Sequence, residues 1–177
     1  MKDNYEIYKS LAERNNWKFS MEDDNRPYFM KDDKYAMPDE FTSEDDKLLL
    51  ATIISEGSDE MVRLILNCWE NGIEIAGPCS GISEFHERQP IRIHFGIITT
   101  KEIIIPLYEE LERIMPDYYH LVRIENGKFR YDFSHVLREE LSQEESNQIF
   151  RIINDNLNNI LKLQNNKQYQ KKRTNNS

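Results

Sequence analysis

Four basic side chains are predicted to share one surface of a β-sheet. Arg92 and His94 alternate with apolar residues along one stretch of the chain, which indicates a strand with a single buried face. Arg123 and Arg130 lie directly opposite each other if the Asn-Gly pair between them forms the two-residue turn of a hairpin. Because guanidinium and imidazolium groups bind phosphates and carboxylates, the sequence predicts a ligand-binding face formed by these four residues.

A second interpretation of the same surface is that its charges are neutralised within the chain. Like charges directly opposite in a hairpin destabilise it by some tenths of a kcal/mol, so Arg123 and Arg130 require a counter-ion. Glu125 and Asp132 lie on the same predicted face, and an acidic arm at residues 20–42 offers further carboxylates. A bound anion, an acidic partner and an internal counter-ion all remain open.

A second candidate site is a Gly-Pro-Cys-Ser-Gly loop predicted at residues 77–81. Such a turn can expose Cys79 or Ser80, or direct backbone N–H groups toward an anion. A nucleophilic cysteine needs a base and nearby cations, and the nearest histidines in sequence are His86 and His94. The alternative is a structural turn with a packed thiol.

A zinc site is the third possibility that the residue types raise. Cys79, His86, His94 and His120 are all capable zinc ligands, but their spacing matches none of the common ligand patterns. We therefore predict no metal site and no cofactor.

The composition predicts one soluble domain of the cytoplasm. The 177 residues are 31% charged and contain no apolar run near the roughly 18 residues that span a bilayer. The N-terminus has no apolar signal-peptide core, and two cysteines are fewer than a disulfide-rich secreted domain usually carries. The net charge of −9 disfavours non-specific DNA binding and leaves local binding of an anion possible.

Helical and strand patterns define the elements that position the candidate residues. The predicted organisation is an N-terminal helix in residues 1–19, the acidic arm at 20–42, an α+β domain at 43–164 and a disordered basic tail at 165–177. From residue 59 the predicted order is α-β-β-α-β-β-α. The predicted fold class is therefore α+β, with an antiparallel sheet of about four strands and helices packed on one face.

Finer boundaries follow from caps, turns and periodicity. The predicted elements are helices starting after Ser43 and Ser58, a short strand 73–76, a strand 91–97, a helix 101–115 with Pro106 near its first turn, a hairpin around Asn126-Gly127, and a helix from the Ser142–Glu145 capping box to about Gln164.

The run LILNCWENGIEIAGPCSGI, followed by IRIHFGI, resembles a pattern in small uncharacterised proteins of low-GC Gram-positive bacteria and their phages. Those proteins carry two cysteines and a histidine in the turn, whereas this chain has Cys79 alone and Ile82 in place of the histidine. The Pro78–Gly81 turn also resembles the Ser-Cys-Ser-Gly-Arg turn of the wybutosine-synthesis methyltransferase-like family, which modifies tRNA, without its arginine. The first resemblance implies a protein of such bacteria or their phages and no known activity, and the second implies an RNA substrate.

Three functions remain as hypotheses, of which one is a purely structural subunit of a larger assembly. The leading one is a non-enzymatic binding or regulatory protein that engages a protein partner or a small anionic ligand through Arg92, His94, Arg123 and Arg130. The alternative is a nucleotide- or RNA-processing enzyme that uses the Cys79 loop together with the basic sheet face.

Overall fold

In the computed structural model the described residues form five α-helices and two β-sheets. The structure describes residues 2–21, 27–31, 34–35, 40–82 and 91–174. In chain order the elements are α1 (Lys2–Asn15), β1 (Lys18–Met21), β2 (Pro27–Lys31), β3 (Lys34–Tyr35), α2 (Glu44–Ile54), α3 (Asp59–Glu70), β4 (Glu74–Ser80), β5 (Arg92–Thr99), α4 (Lys101–Ile114), β6 (Tyr119–Glu125), β7 (Lys128–Val136) and α5 (Gln143–Thr174). The predicted α+β class is confirmed.

The larger sheet has the strand order β4-β5-β7-β6, and each neighbouring pair is antiparallel. Alternate residues of its central strands, among them Ile93, Phe95, Tyr131 and Phe133, are buried in one core beneath the helices. Strict alternation places their neighbours on the opposite side of the sheet. The predicted four-stranded sheet with helices on one face is therefore confirmed, and its second face bears the candidate residues.

Side-chain caps fix where the helices begin. The hydroxyl of Ser43 accepts a hydrogen bond from the backbone N–H of Asp46, and the hydroxyl of Ser58 caps α3 in the same way. Ser142 and Glu145 form the predicted reciprocal box, because each side chain accepts from the backbone N–H of the other residue. These caps satisfy backbone donors that have no partner inside a helix.

The structure corrects the predicted loop at residues 77–81, because β4 extends to Ser80. Ala76 pairs with Gly96 and Cys79 with His94, so β4 contains one more residue than β5 between the two pairs. This extra residue makes a β-bulge, and Gly77 adopts the left-handed φ of +54° there. A Gly-Pro pair usually marks a turn, but here the bulge absorbs it and the strand continues.

The position of Pro106 also differs from expectation. It is the sixth residue of α4, beyond the first turn, so one backbone hydrogen bond of the helix is missing. The carbonyl of Glu102, which residue 106 would otherwise bond, accepts a hydrogen bond from Nε2 of Gln164 at 2.9 Å. A side chain of α5 thus replaces the lost backbone donor.

The helix α5 continues to Thr174, whereas the sequence predicts disorder in the segment after Gln164. Gln and Lys have good helix propensity, and extending an existing helix avoids the cost of nucleation. Although α5 has 32 residues, neither it nor any other helix in the described ranges is long and apolar enough to cross a membrane.

The smaller sheet, β1-β2-β3, joins the N-terminal segment to the helical side of the molecule. Phe29 of β2 is buried against Tyr8 and Trp17, and Trp17 contacts Phe41, which in turn contacts Trp69 of α3. Six acids of the predicted acidic arm lie outside the described residues: Glu22, Asp23, Asp24, Asp32, Asp33 and Asp39. Within the predicted arm, Phe29 and Phe41 contact aromatic side chains of the N-terminal segment and of α3.

Candidate functional site

The four predicted basic residues lie on one surface of the larger sheet. Asn126 and Gly127 have φ values of +51° and +78°, the type I′ geometry, and Arg123 pairs with Arg130 as predicted. We call this surface the polar face; it comprises Glu74, Ala76 and Cys79 of β4, Arg92, His94, Gly96 and Ile98 of β5, Tyr119, Leu121, Arg123 and Glu125 of β6, and Lys128, Arg130, Asp132, Ser134 and Val136 of β7.

The carboxylate of Asp132 lies at the centre of the polar face. Nε of Arg130 donates to Oδ1 and Oδ2 of Asp132 at 2.9 Å, and Nη2 donates to Oδ1 at 2.8 Å. The Asp132 side chain is only 9% exposed, so water screens this pair weakly. Most of the hydrogen-bonding capacity of Arg130 is therefore used inside the chain.

Glu125 is the second carboxylate that contacts Arg130. Nη1 of Arg130 donates to Oε2 of Glu125 at 3.0 Å. Burial alone would lower the pKa of Arg130, but its hydrogen bonds to Asp132 and Glu125 raise that pKa above its ordinary value. Arg130 is thus a permanently charged structural group of the polar face.

Arg123 is the more available of the two opposed arginines. Its Nη2 lies 3.5 Å from Oδ2 of Asp132 and 3.7 Å from Oε2 of Glu125, which is longer than a good hydrogen bond. Its side chain is 49% exposed. Because Arg130 already makes the short contacts to both carboxylates, the guanidinium of Arg123 retains donors that face solvent.

His94 contacts the same central carboxylate from the other side. Its Nδ1 is hydrogen-bonded to the carbonyl of Gly77, and its Nε2 lies 3.4 Å from Oδ1 of Asp132. A backbone carbonyl and a carboxylate both act as acceptors, so each ring nitrogen of His94 faces an acceptor within the chain. These contacts orient the imidazole ring beside Asp132.

Arg92 does not join this group, and the expected convergence of four basic residues is wrong in that respect. Arg92 pairs with Val136, whereas Arg130 pairs with Ile98, six residues further along β5. Six residues of extended strand span about 20 Å. Arg92 is exposed at the far end of the polar face, and no hydrogen bond or ion pair joins its side chain to another described residue.

Gly96 leaves the space that Asp132 occupies. A Cβ at residue 96 would lie 2.7 Å from Oδ1 of Asp132 and 2.9 Å from the carbonyl oxygen of Ala76. Both separations are too short for a methyl group, and the second involves backbone. Glycine inside a strand often marks such a close approach, and here it makes room for the buried carboxylate.

The cysteine-serine pair is buried in β4, which argues against a catalytic role for it. The thiol of Cys79 is 3% exposed and donates to the carbonyl of Arg92 at 2.9 Å. The hydroxyl of Ser80 is fully buried and lies 3.3 Å from Oε2 of Glu56, which also accepts from the Ser80 backbone N–H. These contacts tie β4 to the corner between α2 and α3.

The remaining candidates for catalysis or zinc binding are not brought together. His86 lies outside the described residues. His120 is on the core face, where Nδ1 contacts the hydroxyl of Tyr131 at 2.7 Å and Nε2 contacts the carbonyl of Met115 at 2.9 Å. Within the ranges that the structure describes, no three His, Cys, Asp or Glu side chains are grouped to bind a metal ion.

The two cysteines, Cys68 and Cys79, are both buried, and no disulfide joins them. Burial within α3 raises the pKa of the Cys68 thiol well above its ordinary value, which keeps it protonated and unreactive.

Asp132 is the central residue of the site, although the sequence indicates it only as a possible counter-ion. Two sequence features together could have found it: Asp132 falls on the same face as Arg130 by strict alternation, and a glycine lies in the neighbouring strand. The pairing of β5 with β7, which brings that glycine opposite Asp132, is a tertiary property.

Comparisons with known proteins found no relative of this chain. The chain matches no protein-family model, no curated protein and no solved structure. The site is therefore interpreted from its own geometry, and the two resemblances drawn from the sequence stay predictions.

Proposed function

We propose that this chain is a non-enzymatic binding protein and that an acidic protein partner binds to its polar face. The observation that carries the proposal is the half-exposed guanidinium of Arg123, whose chain partners are already bound at shorter distances by Arg130. A carboxylate from a partner would complete the hydrogen bonds that Arg123 lacks.

The composition of the polar face supports a protein partner over a small anion. Four lysine and arginine cations share this face with three carboxylates, so the face is close to neutral on a chain of net charge −9 and leaves Arg92 and Arg123 without short ion pairs. The available cations Arg92 and Arg123 are too far apart for one small anion to bridge. Two exposed apolar side chains lie near these cations. Tyr119 lies between Arg92 and Arg123 along the sheet, and Val136 lies opposite Arg92.

Exposed tyrosine and arginine are residue types enriched at the centres of protein interfaces. On the polar face Tyr119 is 59% exposed, while the helices α3, α4 and α5 pack against the other side of the sheet. Among the described elements none covers the polar face. A surface of this kind offers a partner both apolar contact area and charge-assisted hydrogen bonds.

The enzymatic alternative receives no support from the geometry. A nucleophile must reach a substrate and a base, whereas the Cys79 thiol and the Ser80 hydroxyl are buried and bonded to groups of the fold. The ring nitrogens of His94 face Gly77 and Asp132, and neither faces the thiol.

Site-specific photo-crosslinking in the source organism tests the proposed interface. A photoreactive phenylalanine analogue would replace Tyr119 on the polar face, and Leu163, which is equally exposed on α5, provides the matched control position. We expect a discrete adduct from position 119 that is absent from position 163 and is lost in the Arg123→Glu background. Equal adducts from both positions, or an adduct insensitive to Arg123→Glu, would refute the assignment.

A further inference from the structure

We infer that the partner binds the polar face by adding an extended strand to the open edge of β6, with a carboxylate of that strand opposite Arg123. This inference rests on the proposed function and names the kind of partner. Strand addition requires an edge with available backbone groups and side chains that select the added strand.

The two edges of the larger sheet differ in how they are protected. The edge strand β4 contains the bulge at Gly77 and then Pro78, which has no backbone N–H, and its Ser80 N–H is bonded to Glu56. Bulges and prolines are common means of blocking further pairing at an edge. β6 has seven residues in regular pairing with β7, without a bulge or a proline. Only one of the two edges is therefore suited to accept a strand.

The hairpin register identifies the backbone groups that β6 presents outward. In a two-residue hairpin the residues that flank the turn, Glu125 and Lys128, form a hydrogen-bonded pair. Hydrogen-bonded and non-hydrogen-bonded pairs then alternate along the strand. His120, Val122 and Ile124 consequently direct their N–H and C=O groups away from β7, and no other described segment pairs with β6 on that side.

Side chains beside this edge specify what an added strand should carry. On the polar face Arg123 presents donors to solvent, and Tyr119 lies four residues from it along β6 on the same face. On the opposite face Ile124 is 69% exposed, the highest value among the large apolar side chains described. Because successive residues of a strand alternate between faces, the matching strand alternates acidic with apolar residues.

A second copy of this chain fits the edge less well than an acidic strand does. Two copies of β6 paired antiparallel about Val122 would place Arg123 diagonal to its own equivalent, and pairing about Arg123 would place the two arginines directly opposite. Like charges in these positions are destabilising. An acidic strand instead supplies Arg123 with a counter-ion.

The probe for the test is a fluorescein-labelled synthetic peptide of alternating glutamate and valine, with the alternating lysine-valine peptide as its charge control. Fluorescence anisotropy measures binding to the full chain. Val122→Pro removes one outward N–H without touching the ladder to β7, and Val122→Ala retains that N–H while removing the side chain. A probe N-methylated on alternate amides tests the same bonds if Val122→Pro does not fold.

We expect the glutamate peptide to bind, Val122→Pro and Arg123→Gln each to weaken it about tenfold, and Val122→Ala to change it by less than about threefold. The lysine peptide and the N-methylated probe should bind at least about tenfold more weakly. Unchanged binding to Val122→Pro and by the N-methylated probe would overturn strand addition. If Arg123→Gln still weakened the peptide in that case, the proposed binding function would stand.

Two further outcomes also count against the inference. Failure of the unmodified chain to bind the glutamate peptide would overturn it, while the crosslink at Tyr119 would remain an independent test of the proposed function. A concentration-dependent dimer in sedimentation that Val122→Pro dissociates and that excludes the peptide would assign the edge to a second copy instead.

Discussion

Replacing Asp132 with asparagine should lower the stability of the fold and at the same time strengthen binding of an acidic strand. The substitution keeps the shape of the side chain and removes the charge that Arg130 contacts three times. A hydrogen bond to a charged group contributes about 1.5–3 kcal/mol. Arg130 retains its contact with Glu125, and the asparagine oxygen still accepts, so we expect a loss of about 2 kcal/mol.

Urea unfolding monitored by tryptophan fluorescence measures this loss, because Trp17 and Trp69 are both buried in the core. Asp155→Asn, on the exposed side of α5, is the matched control and should change the free energy of unfolding by less than about 0.5 kcal/mol. If Asp132→Asn were no more destabilising than this control, the buried carboxylate would not be what holds the polar face together.

Arg123→Gln should act differently in the two backgrounds. With Asp132 present, attraction to the carboxylates and repulsion from Arg130 nearly balance, and the free energy of unfolding should change by less than about 0.5 kcal/mol. With asparagine at 132, repulsion dominates, and Arg123→Gln should stabilise the fold by some tenths of a kcal/mol. This difference between the two backgrounds in urea unfolding would be absent if the two arginines did not share Asp132.

The binding measurement separates a functional surface from a purely structural one. Asp132→Asn leaves Arg123 and Arg130 with fewer internal partners, so the glutamate-valine peptide should bind more tightly than it binds the unmodified chain. A variant that is both less stable and weaker in binding would refute the view that the internal carboxylate and the partner compete for the same guanidinium groups.

Two further predictions concern the supports of the fold. Gln164→Ala should lower the free energy of unfolding in urea by about 0.5–1 kcal/mol. The loss should be smaller in a Pro106→Ala background, because the new backbone N–H can bond the carbonyl of Glu102. Equal losses in the two backgrounds would contradict this explanation. The hydrogen bond from Arg14 lowers the pKa of Asp46, so this pair contributes stability above the pKa of an unfolded aspartate and loses it as the pH falls through the lowered folded value. Arg14→Gln should therefore destabilise at neutral pH, with a difference in melting temperature that shrinks in acid; a difference independent of pH would refute the assignment.

Local chemistry in the sequence predicted much of the fold. Asn126-Gly127 fixes its turn type because both residues must adopt positive φ, and the register of the whole hairpin follows from that turn. The serine caps at Ser43 and Ser58 likewise mark helix starts through contacts within three residues. Such features are predictable because every partner involved is close in sequence.

The sequence did not predict the features that depend on contacts between residues far apart along the chain. Gly77-Pro78 has the composition of a turn, and only pairing with β5 reveals the bulge that keeps the strand continuous. Pro106 is tolerated in the middle of α4 because a glutamine more than fifty residues later bonds the carbonyl that it leaves without a helical donor. In each case a tertiary contact satisfies a backbone requirement that local reasoning counts as a defect.

The candidate site also has one part that the local sequence predicts and one part that a distant contact determines. Strand alternation and the hairpin turn are enough to predict that Arg123 lies opposite Arg130, but the consequence of that placement depends on Asp132. The carboxylate of Asp132 makes short hydrogen bonds to Arg130 and only a longer contact to Arg123. The two opposed arginines therefore have different roles. Arg130 becomes part of the fold, whereas Arg123 stays half exposed at an unprotected sheet edge, where we propose that an acidic strand binds.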